Sequence, residues 1–296
     1  MDAGGQSSRP AGTSNSQVHL GPRSKECLGI AERGFKQASR PASWQRCDRR
    51  RGARNKFAPC PHLNPGSMAN QNQRAVVLLS GGMDSCVCAA LAARDSQAAA
   101  VHVSYGQRTE ERERRSFFQI CDRLGIHDRL AVRNEVFRAI GGSALTDPNI
   151  AVPESAAIGH EIPTTYVPFR NAHLLAVAVS WAEVLGAGRV YIGAVEQDSS
   201  GYPDCRPAYY EAFNRVVKAG TKQGQIEVVT PLIALRKSEI VRLGLELGAP
   251  FDLTWSCYSR EDFACGVCDS CVLRLRAFRE AGAEDPIAYA QTAGSM

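Results

Sequence analysis

Two short stretches of this chain carry residue types that do chemistry only in company. Near the C-terminus Cys257, Cys265, Cys268 and Cys271 are spaced C-x7-C-x2-C-x2-C. Four thiolates at such spacing close a tetrahedral Zn²⁺ site. A closed four-sulfur site leaves no position for water, so its expected role is structural, pinning the C-terminal segment to the body. Cys268 and Cys271 lie three apart, on one side of a helix expected to start near Asp269. A C-x2-C-x2-C run also serves iron–sulfur clusters, and that alternative stays open at this point. Far upstream, Ser80-Gly81-Gly82-Met83-Asp84-Ser85 follows an apolar run and leads into a helical pattern.

A strand, two glycines and a helix start make an anion site. Gly81 and Gly82 allow positive φ and close backbone approach. Their N–H groups, with those of the first helical turn, form a concave nest of donors, and the helix dipole favours negative charge there. Ser80 and Ser85 add hydroxyls. Asp84 is itself anionic, so it reads as the N-cap of the helix or as a ligand for Mg²⁺ riding on phosphates. The Walker A pattern and its lysine are absent, which argues against γ-phosphoryl transfer.

The elements that must hold these residues alternate. Ala75–Leu79 is a continuous apolar run, as a buried parallel strand should be, and Asp84–Arg94 follows as a helix. Strands are expected over 98–106, 128–136, 189–195 and 225–232, and helices over 109–125, 171–186, 207–220 and 237–248, with 141–165 irregular. Repeated strand–helix alternation predicts an α/β fold, a doubly wound, mostly parallel sheet with a small C-terminal cysteine segment. The segments "SYGQR", "YVPFRN", "GAVEQDSSGYPDCR", "TPL" and "RKSEI" all fall where chain leaves strands or opens helices on one rim, so their polar residues can converge on one pocket.

The chain as a whole sets the limits. It has 296 residues, 44% of them hydrophobic, enough for a sizeable core. No apolar run approaches the roughly 18 residues of a membrane helix. Residues 1–67 hold 12 Lys and Arg against 4 Asp and Glu, a net of +8, while residues 68–296 hold 23 against 26, a net of −3. That mildly acidic body argues against a strongly phosphate-binding nucleic-acid surface. Residues 1–67 are rich in Gly, Ser, Pro and Arg without sustained periodicity. They are expected to form a disordered extension, outside a functional protein that starts at or near Met68. An organellar transit peptide is the alternative, and a basic nucleic-acid arm a third. The N-terminus shows no apolar h-region, so a cytoplasmic chain is expected and its cysteine cluster reads as a metal site rather than a disulfide framework.

Ser-Gly-Gly-Met-Asp-Ser after a strand resembles the PP-loop of the ATP pyrophosphatase superfamily, whose fold is adenine nucleotide alpha hydrolase-like. Members cleave ATP between the α- and β-phosphates, adenylate a substrate oxygen and hold the departing pyrophosphate. With "SYGQR", "YVPFRN", "SGYPDCR", "TPL", "RKSEI" and the "SCY…CGVCDSC" segment in this order, residues 75–275 resemble the 7-cyano-7-deazaguanine synthase family closely. The resemblance implies a Zn²⁺-containing homodimeric enzyme, an ATP-dependent carbon–nitrogen ligase. It would convert 7-carboxy-7-deazaguanine and ammonia to the nitrile precursor of queuosine through adenylated acid and amide intermediates. It implies a pyrophosphatase domain over 68–250 and a zinc segment over 251–296.

On this reading Leu79, Ser80, Gly81, Gly82, Met83, Asp84, Ser85 and Cys86 cradle the phosphates of ATP, with Mg²⁺ bridging them. Arg170 and Lys237, with Asp84 and Ser85, carry the charge stabilisation. Asp198, Tyr202 and Asp204 read the guanine-like edge, and Gln107, Arg108 and Arg206 are further substrate candidates. For each lone charge the bland alternative is a solvated or salt-bridged surface side chain. Cys205 reads as a nucleophile or, more often, a small buried residue. His102 and His173 read as packing residues. Two other functions compete: a PP-loop tRNA sulfurtransferase with Cys205 carrying sulfur, and a non-enzymatic zinc-ribbon binding module. No membrane or nucleic-acid partner is expected.

Overall fold

The computed structural model describes residues 73–152, 162–196 and 202–290. Five strands form one parallel sheet: β1 (Arg74–Leu78), β2 (Gln97–Ser104), β3 (Asp128–Arg133), β4 (Arg189–Ile192) and β5 (Glu227–Val229), in the order β3-β2-β1-β4-β5. β1 is central, with Val76 paired to Ala99 on one side and to Val190 on the other.

Its apolar run is explained by burial on both faces. Ala75, Val77 and Leu79 point into one core layer and Val76 and Leu78 into the other. The first layer is covered by α1 (Met83–Asp95), α2 (Glu110–Leu124), α6 (Lys237–Glu246) and α7 (Asp269–Ala281), through Cys86, Phe117, Ile240 and Phe278. The second is covered by α4 (Arg170–Leu185) and α5 (Pro207–Gly220), through Leu175, Val179 and Val217. α6 sits close on α1, because a Cβ at Gly244 would lie 2.8 Å from Val87 Cγ2.

The sequence reading held for every helix named above and for all five strands, with the last three strands each ending three residues earlier than expected. A one-turn helix, α3 (Val136–Ile140), was not anticipated: five residues give no helical period to detect. α2 and α4 end on Gly125 and Gly186 in the left-handed conformation, which glycine adopts without steric cost.

The chain reverses its direction of travel at β1, so the loops after β1 and β4 diverge and open a crevice at the strands' carboxyl ends. No helix of the described residues is long and apolar enough to cross a membrane.

Candidate functional site

The loop after β1 enters that crevice. Gly81 has φ +95°, and a Cβ there would lie 2.6 Å from the carbonyl oxygen of Glu113 on α2, so only glycine fits. Gly82 N–H donates to Ser80 Oγ at 3.2 Å, Ser85 Oγ donates to the Gly82 carbonyl at 2.9 Å, and the two serine hydroxyls lie 3.0 Å apart. Gly82 is the N-cap of α1, so Asp84 is in the first helical turn and does not cap it. Its carboxylate instead turns to α6: Lys237 Nζ donates to Asp84 Oδ2. Asp84 Oδ1 is buried without a hydrogen-bond partner, a position a cation would satisfy. β4 closes in from the other side, since a Cβ at Gly193 would lie 2.9 Å from the Asp84 carbonyl.

These groups line a cavity of about 320 Å³. Leu79, Ser80, Gly82, Met83, Asp84, Ser85, Gln107, Arg108, Arg170, Tyr202 and Lys237 all reach its wall. Arg170, at the start of α4, donates to Tyr105 Oη at 2.8 Å, and its Nε is buried and without a partner. Burial works to lower the Arg170 guanidinium, but Tyr105, Tyr202 and Asp204 more than offset it, so Arg170 stays charged. Asp84 and Arg170, each with one buried polar atom left without a partner, thus both line one cavity.

Other candidates are placed differently. Gly81 serves the cradle by packing and is not on the cavity wall. Cys86 is buried in the core, away from the cavity, and burial pushes its thiol up to about 12. Arg108 spends its guanidinium on the carbonyls of Ala144 (2.8 Å) and Ile150 (2.7 Å), clamping that loop. Asp204 is buried and accepts from the Asn171 N–H at 3.1 Å, holding the start of α4 rather than facing the cavity. Arg206 is exposed and off the cavity wall. Asp198 lies outside the described residues. Cys205 does reach the cavity, but burial pushes its thiol up to about 11, the reverse of what an attacking thiolate needs. His102 is buried in β2 against Phe117, and His173 packs on Phe137.

The main residue missed from sequence is Glu113. It is half-buried on the cavity wall, where Gln107 Nε2 donates to its Oε2 and Thr109 Oγ1 to its Oε1, both at 3.0 Å. Burial pushes its carboxyl up to about 7 against those bonds. In sequence it was one acid among many in "TEERERR", and only its place on the inner side of α2 distinguishes it.

The four cysteine sulfurs lie within 4.8 Å of one another, and Cys257, Cys268 and Cys271 are buried. Backbone N–H groups of Ser259 and Cys265 donate to Cys257 Sγ, each at 3.4 Å. Hydrogen bonds from Cys268 and Cys271 hold Cys257 well below the usual thiol range. The set fits a tetrahedral metal. The same segment walls the cavity with Trp255, Ser256 and Tyr258, and Trp255 N–H donates to the Gly81 carbonyl at 2.8 Å. Arg274 locks it from behind, paired with Asp285 at 2.7 and 2.8 Å and donating to Thr254 Oγ1 at 2.6 Å.

A lysine-free glycine loop at the crevice of a parallel sheet, walled by a four-cysteine segment, defines an α/β fold of the PP-loop class. Comparison with known proteins makes the assignment particular: residues 74–282 match the family described as queuosine biosynthesis protein QueC, and the chain belongs to that family. It is similar to the 7-cyano-7-deazaguanine synthase of Koribacter versatilis (strain Ellin345), 74% identical over 221 residues, covering 73% of this chain and 93% of the relative. It is 69% identical over 227 residues to the synthase of that name from Acidobacterium capsulatum, covering 75% of this chain and 99% of the relative. Among solved structures it is similar to the U34-tRNA thiolase NcsA from Methanococcus maripaludis with its 4Fe-4S cluster, at TM-score 0.41 and 14% identity, covering 71% of this chain and 65% of that chain. That likeness is too distant to bear on function.

Proposed function

We propose that the protein makes 7-cyano-7-deazaguanine from 7-carboxy-7-deazaguanine, ammonia and ATP, in queuosine biosynthesis. The observation that carries this reading is the convergence of the lysine-free loop, Arg170 and Lys237 on one cavity. A carboxylate is a poor electrophile, because expelling oxide is uphill. Transfer of AMP to its oxygen makes a leaving group, and ammonia then forms the amide. A second transfer, to the amide oxygen, lets AMP depart as the nitrile forms. No enzyme nucleophile is needed, which agrees with the protonated state of Cys205. The protein's work is positioning and charge stabilisation.

The loop N–H groups with Ser80 and Ser85 bind pyrophosphate, Arg170 and Lys237 neutralise phosphate charge, and Gln107 and Tyr202 face the base. Asp84 would hold Mg²⁺, which when bound neutralises phosphate charge. Cys257, Cys265, Cys268 and Cys271 would hold one Zn²⁺, with a structural role. We read the protein as a cytoplasmic homodimer, with the pyrophosphatase domain over 68–250 and the zinc segment over 251–296.

The test is to incubate the protein with Mg-ATP, ammonium and the acid, and to follow nucleotide and deazapurine by mass spectrometry. AMP, pyrophosphate and the nitrile are expected. Release of ADP and orthophosphate, or an untouched acid, would overturn the reading.

A further inference from the structure

We propose that Glu113 is the proton acceptor for ammonia as it attacks the activated carboxyl carbon, an inference that rests on the reaction proposed above. Among the described residues the cavity wall holds two carboxylates and no histidine: Asp84 and Glu113. Asp84 belongs to the phosphate loop and is held by Lys237, which leaves Glu113 for the proton. The position is suited to that task. The Glu113 main chain abuts Gly81, and Glu113 lines the same cavity as Ser80 and Gly82 of the loop after β1. Gln107 and Thr109 fix its orientation with one hydrogen bond to each oxygen, and each oxygen keeps a lone pair. The groups that face it are Glu110 on its own helix, Arg170 at the start of α4 and Tyr105 beyond the end of β2. In that setting its carboxyl sits at about 7, where it both takes and releases a proton at neutral pH.

The lone pair of ammonia forms a C–N bond to the acyl carbon. The C–O bond to AMP breaks, and AMP leaves with that electron pair. One N–H proton passes to Glu113, giving neutral amide and a carboxylic acid that returns its proton to solvent.

Two partial reactions on the full chain test this. Acid-dependent ATP–pyrophosphate exchange reads adenylation without ammonia. Ammonia-dependent amide formation, counted as amide plus nitrile and measured at constant unprotonated ammonia from about pH 5.5 to 8.5, reads the proton acceptor. The wild type is expected to gain about tenfold per pH unit up to a plateau near 7. Glu113→Gln is expected to keep exchange within about threefold and to lose amide formation about 100-fold or more, with a flat profile. An inflection that survives in Glu113→Gln, a near-wild-type amide rate, or joint loss of exchange and amide formation would overturn the assignment. Absence of exchange in the wild type would fail the underlying reaction instead. If Glu113→Gln does not fold, Glu113→Asp carries the test: it should keep the inflection at a lower plateau, and a profile without one overturns the assignment.

Discussion

Lys237 donates its ammonium to Asp84 Oδ2, joining the first turns of α6 and α1 across 153 positions of chain. The loop after β1 has no lysine of its own, and the fold brings one to it from α6. The pair links two facts that the sequence shows only separately: an acid just after a glycine turn, and a lysine opening a late helix.

Breaking this pair should separate chemistry from stability. The two side chains keep 18% and 23% of their exposure, so their mutual attraction contributes only about 1 kcal/mol to folding. Asp84→Asn and Lys237→Met are each expected to lower Tm by a few degrees at most while reducing acid-dependent ATP–pyrophosphate exchange about 100-fold or more. Exchange assays beside thermal melts check this. Activity that falls only in proportion to folded protein would contradict it.

Gly81 offers a test by backbone geometry. Alanine there must adopt φ near +95° and push its Cβ to 2.6 Å from the Glu113 carbonyl. Gly81→Ala is expected to cost about 1–3 kcal/mol from conformation alone and more from the clash, and to displace the loop between β1 and α1. Gly220 is the comparison, since its Cβ would meet nothing within 4 Å and it ends a helix. Gly220→Ala is expected to be neutral or stabilising by up to about 1 kcal/mol. Denaturant midpoints of the two variants should therefore move apart, and equal shifts would refute the loop argument.

How much of this was legible in the sequence follows from the range of the interactions. β1 and α1 were plain, because a strand buried on both faces is an unbroken apolar run and a glycine pair marks the turn. The four cysteines were plain, because metal-ligand spacing is local. Asp84 was singled out, yet its role as N-cap went to Gly82, and its partner Lys237 was out of reach of any local pattern. Asp204 and Arg108 were read as substrate contacts from their loops, but hydrogen bonds made on folding commit them to Asn171 and to the 144–150 loop. Glu113 carried a signal that its charged neighbours masked: it lies four residues before Phe117 and seven before Ile120, on the face that α2 buries.

The cysteine cluster should hold the cavity wall together. Trp255 stands two residues before Cys257 and is bonded to Gly81, and Thr109 Oγ1 is within hydrogen-bond distance of both the Cys257 carbonyl (3.2 Å) and Glu113 (3.0 Å). Elemental analysis is expected to find one metal per chain. Its removal by a strong chelator, or Cys271→Ser, is expected to lower stability by several kcal/mol, shift tryptophan emission and abolish exchange. A metal-free chain with unchanged melting and activity would show that the four thiols need no ion.

Two buried groups, His102 and Glu113, make stability depend on pH in opposite senses. Burial lowers His102 from 6.5 to about 4, so between those values the unfolded chain binds the extra proton. Stability is therefore full above about 6.5 and falls as pH drops toward 4, by roughly 2–4 kcal/mol for this group. Burial raises Glu113 from 4.5 to about 7, so there the folded chain binds the extra proton and stability falls as pH rises through that window. Relative to wild type, His102→Gln should look better at pH 5 than at pH 8, and Glu113→Gln better at pH 8 than at pH 5. Urea unfolding of both variants at the two pH values should give lines that cross, and parallel lines would show that neither group titrates as its surroundings require.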